Sequence, residues 1–207
     1  MLKTKIAVFV SGGGTNLQAL LDAQAAGELP SGEIVLVVSS SEGAFALERA
    51  KKAGVPAAVC SRKALGSQEA FEAAISQALE AHGIEMIILA GFMSILSRDF
   101  TQKWPERIIN VHPSLIPSFC GQGFYGLRVH EAALERGVKV TGATVHFVNE
   151  IPDGGRILLQ KAVAVEAGDT PETLQRRVME QAEWQLLPQA AEMLAAEILA
   201  KRKGEQP

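Results

Sequence analysis

The amino-acid sequence predicts an α/β fold in which helices cover both faces of one open, twisted and mostly parallel sheet. Three observations support this prediction. Short apolar runs recur along the first half of the chain, amphipathic stretches of helical period separate them, and several of these stretches end in glycine, the common residue just after a helix. Continuous apolar strands are typical of a parallel sheet that is buried on both faces.

The first half of the chain contains five predicted strands and three predicted helices. The strands are KIAVFV (5–10), EIVLVVSS (33–40), AAVC (57–60), EMIILA (85–90) and RIINV (107–111). The helices are TNLQALLDAQAAG (15–27), AFALERAKKAG (44–54) and SQEAFEAAISQALEAHG (67–83). This alternation indicates βαβ units, which place successive strands parallel to one another.

The second half predicts an antiparallel part of the sheet. VKVTGATVHFV (138–148) and GRILLQKAVAV (155–165) are two longer strands joined by a short turn, which favours an antiparallel pair. A helical pattern follows from Thr170 to about Lys201, with Pro171 suited to its first turn. Pro188 is expected to kink or break this helix, because proline removes a helical hydrogen bond. The whole pattern predicts a single-domain, Rossmann-like sheet.

Composition and charge exclude several classes of protein. With 207 residues, 47% apolar and 21% charged, the chain has the composition of a soluble globular domain. The net charge of −3 argues against a general nucleic-acid-binding protein, whose surface would be basic. The apolar run near the N-terminus, IAVFV, is too short for a signal peptide or a membrane span. We therefore predict a cytoplasmic location without membrane contact.

Cysteine and histidine usage predicts neither a disulfide framework nor a metal site. Cys60 and Cys120 lie in different surroundings, which fits a reducing compartment. The four histidines, at positions 82, 112, 130 and 146, lack cysteine partners at zinc spacing. Cys120 lies in a glycine-rich loop without an evident base that would activate it as a nucleophile.

The segment SGGGTN (11–16) lies between the first predicted strand and the first predicted helix. Consecutive glycines let several backbone N–H groups point toward one place, and the helix N-terminus adds a partial positive charge. The segment is a candidate anion site, most naturally for a phosphate, although a tight turn capped by Thr15 or Asn16 also fits the pattern. It is not a nucleoside-triphosphate loop, because no Gly-Lys-Ser/Thr follows.

The segment IINVHPSLIP (108–117) ends the fifth predicted strand with an amide and an imidazole. Asn110 and His112 are two residues apart, so their side chains leave the same face of the strand. Two such donors aimed at one point could stabilise a developing oxyanion, and Pro113 would fix the direction in which the chain leaves. A buried histidine bonded to a carbonyl, with Asn110 capping a turn, is the structural alternative.

A histidine that acts as an acid at neutral pH needs a reason to be protonated, which is normally a nearby carboxylate. Asp153 and Glu150 are the candidates, and Asp153 is expected to raise the pKa of His112. A turn residue of a hairpin is the alternative for Asp153, since two glycines follow it. His146 alternates with Thr144 on its strand, and it either lines the same cleft or is a core histidine.

Three further residues carry weaker signals. His130 is expected to open a helix, where it caps the helix or touches a substrate. His82, at the end of a charged helix, is predicted to lie on the surface. Trp184, in the C-terminal helix, is predicted as a packing residue rather than a ligand platform.

Four segments resemble those of the formyltetrahydrofolate-dependent formyltransferases in order and spacing. They are SGGGTNLQALLDA, LAGFMSIL, NVHPSLIPSF and TGATVHFVNEIPDGGRIL. The resemblance covers about residues 3 to 190. The combination of Asn-x-His-Pro-Ser with Asp-Gly-Gly is specific to this superfamily, and the glycine-rich start and the chain length narrow the resemblance to its glycinamide-formylating branch.

The resemblance implies roles for three catalytic residues. Asn110 and His112 would hold the oxyanion of a tetrahedral intermediate, and Asp153 would keep His112 protonated. The reaction would move the formyl group of the co-substrate 10-formyltetrahydrofolate to the primary amine of 5-phosphoribosylglycinamide, a step of purine (IMP) synthesis. It would require no metal.

The resemblance also implies two sets of binding residues. Glu183 matches a substrate-contacting glutamate, and one residue more than usual separates it from Arg177. The ribose phosphate would contact Gly13, Gly14, Thr15 and Asn16. The folate would contact Gln68, Met93, Ser94, Ile95, Leu96, Asn149 and Glu150, with its pterin against Met93–Leu96 and the backbone of Asn149–Asp153.

The chain departs from the family pattern at two places. Many relatives carry Arg where this chain has Gln68 and Ser94, so Arg62, Lys63 or Arg128 would have to supply the charge. The loop SFCGQGFYG (118–126) is longer than the corresponding segment of many relatives. Neither change touches the three catalytic residues, so an active enzyme is expected.

The resemblance implies one formyltransferase domain over residues 1–207, with a phosphate-binding half (1–105) and a catalytic and folate-binding half (106–207). The expected partners are small molecules, not nucleic acid or membrane, and a homodimer is left open. A methionyl-tRNA formyltransferase would need a further C-terminal, basic domain. A formyltetrahydrofolate deformylase would usually carry an N-terminal regulatory domain, and a catalytically silent binding module would not need the catalytic residues.

Overall fold

A seven-stranded sheet organises the chain. The structure is a computed structural model and describes residues 2–204. The strands are β1 (Thr4–Val10), β2 (Gly32–Ser39), β3 (Ala57–Val59), β4 (Met86–Leu89), β5 (Ile108–His112), β6 (Val140–Phe147) and β7 (Ile157–Ala164). Their order is β3-β2-β1-β4-β5-β6-β7. Strands β1 to β5 are parallel, whereas β6 is antiparallel to both β5 and β7. The predicted α/β fold is confirmed.

Helices pack on both faces of this sheet. They are α1 (Thr15–Ala25), α2 (Ala46–Lys52), α3 (Arg62–Leu65), α4 (Gln68–His82), α5 (Arg98–Thr101), α6 (Leu127–Arg136), α7 (Pro171–Val178) and α8 (Trp184–Lys203). Apolar side chains of α1, α2, α6, α7 and α8 form one core with one face of the sheet. Those of α4 and α5 form a second core on the other face.

The composition of the central strands follows from burial on both faces. In β1, Ile6 and Val8 face the first core and Ala7 and Phe9 face the second, and all four are fully buried. Each large apolar side chain buried in this way contributes about 1.5–3 kcal/mol relative to an exposed position. In a strand with only one buried face, apolar and polar residues would alternate. Residues 6–10 of β1 show no such alternation, because all of them are apolar.

The C-terminal helix differs from its prediction. Pro188 lies inside α8, which continues past it to Lys203, so the expected break is wrong. The irregularity lies one turn earlier, in a π-helical turn at Met179–Glu183. Pro188 has no N–H that could donate to the carbonyl of Trp184, four residues before it, or of Glu183, five residues before it. The π-helical hydrogen-bonding pattern changes to the α-helical one between these two residues.

The topology brings the predicted site segments to one edge of the sheet. The chain runs outward from β1 through β2 to β3, then returns to place β4 on the other side of β1. Ligands of open α/β sheets bind beyond the carboxyl ends of strands at such a reversal. The loops after β1, β4 and β5 all lie at this edge. Because β6 is antiparallel to β5, the turn between β6 and β7 begins beside the start of β5, and its residues Asn149–Asp153 reach the cleft that Leu89 and Asn110 line.

Candidate active site

The glycine-rich loop ends at Gly14, which forms the N-cap of α1 with φ 72° and no side-chain capping bond. A Cβ at Gly14 would lie 2.6 Å from the Cβ of Ala46, so only glycine fits this position. Among residues 2–204, no acceptor bonds the backbone N–H groups of Gly13, Gly14 or Thr15. These N–H groups remain available at a helix N-terminus, as an anion site requires.

Arg49 supports the loop from α2, a role that the sequence did not reveal. Its Nε donates to the carbonyl oxygen of Gly13 at 2.8 Å, and its Nη1 donates to Oε1 of Gln18 at 2.9 Å. The guanidinium also lies 5.1 Å from the ring centre of Phe45. A fixed cation therefore lies beside the loop, at a cavity of about 670 Å³ between α1 and the start of α8 that Thr15 also lines.

Asn16 turns away from the N-terminus of α1 and contacts Glu183. Its Nδ2 donates to Oε2 of Glu183 at 2.6 Å, and both residues are buried. Glu183 is the last residue of the π-helical turn Met179–Glu183, which places its carboxyl at Asn16. The Oδ1 atom of Asn16 is buried without a partner among the described residues. A buried acceptor of this kind favours a ligand that donates a hydrogen bond.

Asn110 and His112 leave β5 on the same face, as predicted. The antiparallel pairing of β5 with β6 places Asn110 opposite His146 and His112 opposite Thr144. Nδ2 of Asn110 lies 3.2 Å from Nε2 of His146. His146 is 2% exposed, so it is a core histidine that also lines the cleft.

Asp153 lies between the two histidines of the site. Its Oδ2 is 3.5 Å from Nδ1 of His112, and its Oδ1 is 3.5 Å from Nε2 of His146. Its Oδ2 also accepts a hydrogen bond from the N–H of Gly121 at 2.8 Å. Asp153 has φ 55°, a conformation that Asp adopts in turns more readily than most residues. It is therefore both a turn residue and the carboxylate nearest His112.

The loop after β5 fixes the ring of His112. Nε2 of His112 donates to the carbonyl oxygen of Phe119 at 2.8 Å, which requires a proton on Nε2. Nδ1 then faces Asp153 at 3.5 Å, too long for a strong hydrogen bond. Of the two ring nitrogens, Nδ1 is therefore the one that can leave its contact with Asp153 and contact a bound ligand instead.

A cavity of about 140 Å³ joins Asn110 and Asp153 to most of the predicted folate contacts. Besides these two residues and His146, its lining contains Leu89, Phe92, Ser94, Ile95, Leu96, Val148, Asn149, Glu150, Ile151 and Pro152. Apolar and amide groups predominate, which suits a heterocycle with polar edges. Met93, 56% exposed, lies in the same loop, where its N–H donates to Oγ of Ser11 at 2.8 Å.

Gln68 lies outside this cavity. Its Nε2 donates to the carbonyl oxygen of Ile95 at 3.0 Å and to Oε1 of Glu72 at 2.7 Å. Glu72 in turn accepts from the N–H and the hydroxyl of Ser97. Gln68 therefore ties the loop after β4 to α4.

The comparison with known proteins identifies the family. The sequence profile of the family described as formyl transferase matches residues 4–191. The chain belongs to the formyl transferase family. This membership confirms the family resemblance on which the site residues were assigned.

Relatives of this formyl transferase cover nearly the whole chain. It is 42% identical over 184 residues to the phosphoribosylglycinamide formyltransferase of Haemophilus influenzae, covering 89% of this chain and 84% of that protein. The glycinamide ribonucleotide transformylase 1 structure from Symbiobacterium toebii superposes with a TM-score of 0.87 at 42% identity, covering 94% of this chain and 88% of that one. The chain is also 47% identical over 196 residues to the trifunctional purine biosynthetic protein adenosine-3 of Gallus gallus. That match covers 94% of this chain and 19% of the longer protein.

In the formyl transferase site, burial and nearby charged groups act in opposite directions on the pKa values of His112 and Asp153. Burial lowers the pKa of His112 and outweighs the Asp153 carboxylate and the Phe119 carbonyl, which both raise it. Asp153 therefore raises the pKa of His112, as predicted, but burial has the larger effect and leaves the pKa below its ordinary value. For Asp153, burial raises the pKa, but the contacts with His146, His112 and Gly121 together hold it below its ordinary value.

Glu183 should make the stability of this formyl transferase depend on pH. Burial raises the pKa of Glu183 to about 7, against 4.5 in an exposed chain. The native state therefore holds this proton between about pH 4.5 and 7 while the unfolded state releases it, so stability falls as pH rises through that window. The difference corresponds to roughly 3 kcal/mol.

We expect Glu183→Gln, which keeps the size without the charge, to raise the melting temperature at pH 8.5 by several degrees and to change it little at pH 5. Thermal unfolding of both proteins across this range is the measurement. Glu180→Gln, in the same π-helical turn but exposed, is the matched control. Equal shifts at both pH values would show that Glu183 is ionised in the native state.

The remaining candidate residues lie outside the catalytic contacts. His130 does not open α6 but lies inside it, fully buried and without a ring partner among residues 2–204, and burial lowers its pKa to about 4. His82 is half-buried, with Nδ1 2.8 Å from the carbonyl oxygen of Ala78. Arg128 lies over the ring of Tyr125 at 4.9 Å, and Cys120 is a free thiol with a pKa raised by burial.

Between residues 2 and 204, no three His, Cys, Asp or Glu side chains are grouped so that they could hold a metal ion. Over the same residues, no helix is both long enough and apolar enough to cross a membrane.

Proposed function

We propose that this chain transfers the formyl group of 10-formyltetrahydrofolate to the amine of 5-phosphoribosylglycinamide. The observation that carries the proposal is the meeting of Asn110, His112 and Asp153 at one end of an apolar cleft. The glycine-rich loop, with its free N–H groups, lies at the same edge of the sheet. The names of the relatives support formyl transfer to the same acceptor.

The formyl carbon would be attacked directly by the amine. A bond forms between the amine nitrogen and the formyl carbon, and the carbonyl oxygen becomes an oxyanion. Nδ2 of Asn110 retains one hydrogen beyond its contact with His146, and Nδ1 of His112, 3.5 Å from Oδ2 of Asp153, would turn its proton toward the oxyanion. Two donors aimed at the developing charge lower the barrier more than they stabilise the substrate. Holding both substrates at one edge supplies a further large part of the rate.

The proton balance involves Asp153 and His112. The attacking amine loses a proton and the folate nitrogen gains one as its bond to the formyl carbon breaks. Nδ1 of His112 is the nitrogen free to share a proton, because Phe119 fixes the other nitrogen as a donor. An oxyanion beside Nδ1 adds a second negative charge to that of Asp153 and so favours the protonated ring.

The amine substrate would occupy the side of α1. Free N–H groups of Gly13, Gly14 and Thr15 would bind its phosphate, and Arg49 would add positive charge. Asn16 and Glu183 would receive its polar groups, with the unpaired Oδ1 of Asn16 as the acceptor. The first 105 residues would thus contribute the phosphate site and residues 106–207 the catalytic groups and much of the folate cavity.

The alternative is hydrolysis of the same donor, with water in place of the amine. The phosphate loop and the buried Asn16–Glu183 pair favour transfer, since a deformylase does not need them. The test is to follow the release of tetrahydrofolate with and without phosphoribosylglycinamide. Release only in its presence supports transfer, whereas equal release without it would establish hydrolysis. No release in either case would identify a silent binding module.

Gly13 offers a clean test of the phosphate loop. A Cβ at Gly13 meets no atom within 4 Å and its φ is ordinary, so Gly13→Val should fold normally. The side chain would cover the N–H groups, and we expect the KM for the phosphorylated amine to rise about tenfold or more, with the KM of the folate unchanged. Steady-state kinetics measure both values. Gly43→Val, equally open, is the matched control, and an unchanged amine KM in the Gly13 variant would exclude this loop as the anion site.

A further inference from the structure

Gln160 lies on β7, the last strand of the sheet, and its side chain reaches the loop that follows β5 (residues 113–121). Its Nε2 donates to Oγ1 of Thr144 at 2.9 Å and to the carbonyl oxygen of Ile116 at 3.0 Å. Thr144 is the residue of β6 that pairs with His112 on one side and with Gln160 on the other. The three side chains therefore stand in a row on one face of the sheet. The reaction derived above uses neither Gln160 nor Thr144.

The hydroxyl of Thr144 belongs to a network in which every donor and acceptor is used. Its Oγ1 donates to the carbonyl oxygen of Ser114 at 2.6 Å and accepts from the N–H of Ile116 at 3.1 Å and from Gln160. A hydroxyl has one hydrogen and two lone pairs, and an amide nitrogen has two hydrogens, so neither group has capacity left. A fully satisfied network rigidifies the segment that it holds. That segment is the first part of the loop after β5.

The second part of the same loop holds the ring of His112. The carbonyl oxygen of Phe119 accepts from Nε2 of His112 at 2.8 Å. Phe119 has φ 48°, a left-handed conformation that is unfavourable for a bulky residue and persists only where the surroundings fix it. Oγ of Ser114 donates to the carbonyl oxygen of Ser118 at 2.6 Å, which connects the rigid start of the loop to Phe119.

The contact with Phe119 is the one that orients the ring of His112. Nδ1 of His112 lies 3.5 Å from Oδ2 of Asp153, a distance at which a hydrogen bond is weak. The position of the Phe119 carbonyl therefore determines where Nδ1 points. Gln160 is exposed and is not part of the buried core, so its main structural contribution is its pair of hydrogen bonds to this network.

We infer that Gln160 is a positioning residue, which acts through Thr144 and the loop after β5 to hold the ring of His112 in the orientation that formyl transfer requires. The inference rests on the proposed function, which assigns His112 to the oxyanion. Without Gln160 the loop is held less firmly, and the ring occupies orientations in which Nδ1 does not face the oxyanion. Such a loss of orientation reduces kcat and leaves substrate binding unchanged.

The kinetic test is Gln160→Met, which keeps the length of the side chain but removes both donors. Because Gln160 is exposed, the variant should fold normally, and its melting temperature checks this. We expect kcat to fall roughly fivefold, the ratio that corresponds to the loss of about one net hydrogen bond, with both KM values unchanged. Lys161→Met is the matched control. Lys161 is the next residue of β7, points to the opposite face and donates to Oε1 of Gln185, so this variant should keep its full kcat.

Variants of Thr144 test the route from Gln160 to His112. Thr144→Ser keeps the hydroxyl and should retain most of kcat, whereas Thr144→Val removes the hydroxyl at the same size and should reduce kcat at least as much as Gln160→Met. The double variant Gln160→Met/Thr144→Val should lose little more than Thr144→Val alone, because both residues belong to one network. Losses that multiply in the double variant would show that Gln160 does not act through Thr144.

An NMR titration of the His112 ring supplies a readout that does not depend on turnover. The Phe119 carbonyl raises the pKa of His112, so a looser loop in Gln160→Met should lower this pKa and move the alkaline limb of kcat in the same direction. The titratable groups that face His112 are Asp153, His146 and His130, and the substitution alters none of them.

The outcomes separate the inference from the proposed function. An unchanged kcat or an unchanged His112 titration in Gln160→Met, or a loss of kcat that Lys161→Met shares, would overturn the inference while the unmodified protein still transfers the formyl group. Absence of transfer by the unmodified protein would overturn the proposed function, and the titration would then still report whether Gln160 holds the ring.

Discussion

Replacing Asn110 or His112 is expected to reduce kcat by on the order of 100-fold or more. Each side chain would donate a hydrogen bond to the oxyanion beside Asp153. The loss of one donor would leave the oxyanion with one hydrogen bond fewer, at a place where water does not replace it. The KM values should change little, because these donors act mainly on the charge that develops during the reaction. Steady-state kinetics of Asn110→Ala and His112→Ala give both parameters.

Two controls separate a catalytic loss from a structural one. His112 is 4% exposed, so its replacement also opens a cavity, and the melting temperature must be measured beside the rate. His82→Ala removes a half-buried histidine remote from the cleft and should retain the full kcat. A near-normal kcat in Asn110→Ala would remove Asn110 from the oxyanion site.

Asp153→Asn is the second substitution with a large expected effect. The asparagine tolerates the same φ of 55° and can still accept from Gly121, but the charge between the two histidines is lost. A hydrogen bond to a charged group contributes about 1.5–3 kcal/mol, so kcat near pH 8 should fall roughly 10- to 100-fold. The stability should fall less than with Ala.

The pH profile of this variant gives the mechanistic test. Activity that needs protonated His112 is present below its pKa and is lost as pH rises through it. Since the Asp153 carboxylate raises the pKa of His112, Asp153→Asn should move the alkaline limb of kcat to lower pH. An unmoved alkaline limb with a lowered melting temperature would make Asp153 a turn residue only.

Much of the fold was predictable because the central strands are buried on both faces. The run IAVFV has no polar residue because each side of β1 packs against a helical layer, and this signal needs no tertiary information. The break at Pro188 was predicted wrongly because the effect of this proline depends on the turn before it. A π-helical turn at Met179–Glu183 changes the bonding pattern there, and local periodicity does not report such a turn.

The candidate site was predictable where it depends on alternation along one strand. Asn110 and His112 share a face for this reason alone. The contacts of Asp153 were not predictable, because they depend on the register of β5 against β6 and on the loop that brings Gly121 to the carboxylate. The sequence predicted the upward effect of Asp153 on the pKa of His112 but not the larger downward effect of burial, since burial is a property of the assembled fold.

The fate of the formyl carbon tests the central claim most directly. The unmodified protein would be incubated with 10-formyltetrahydrofolate labelled with ¹³C in the formyl group and with phosphoribosylglycinamide, and the label followed by NMR. The account predicts that the label appears in the formamide of the ribonucleotide, and that His112→Ala loses this product by on the order of 100-fold or more. Label that appears in free formate at the same rate with or without the amine would contradict it.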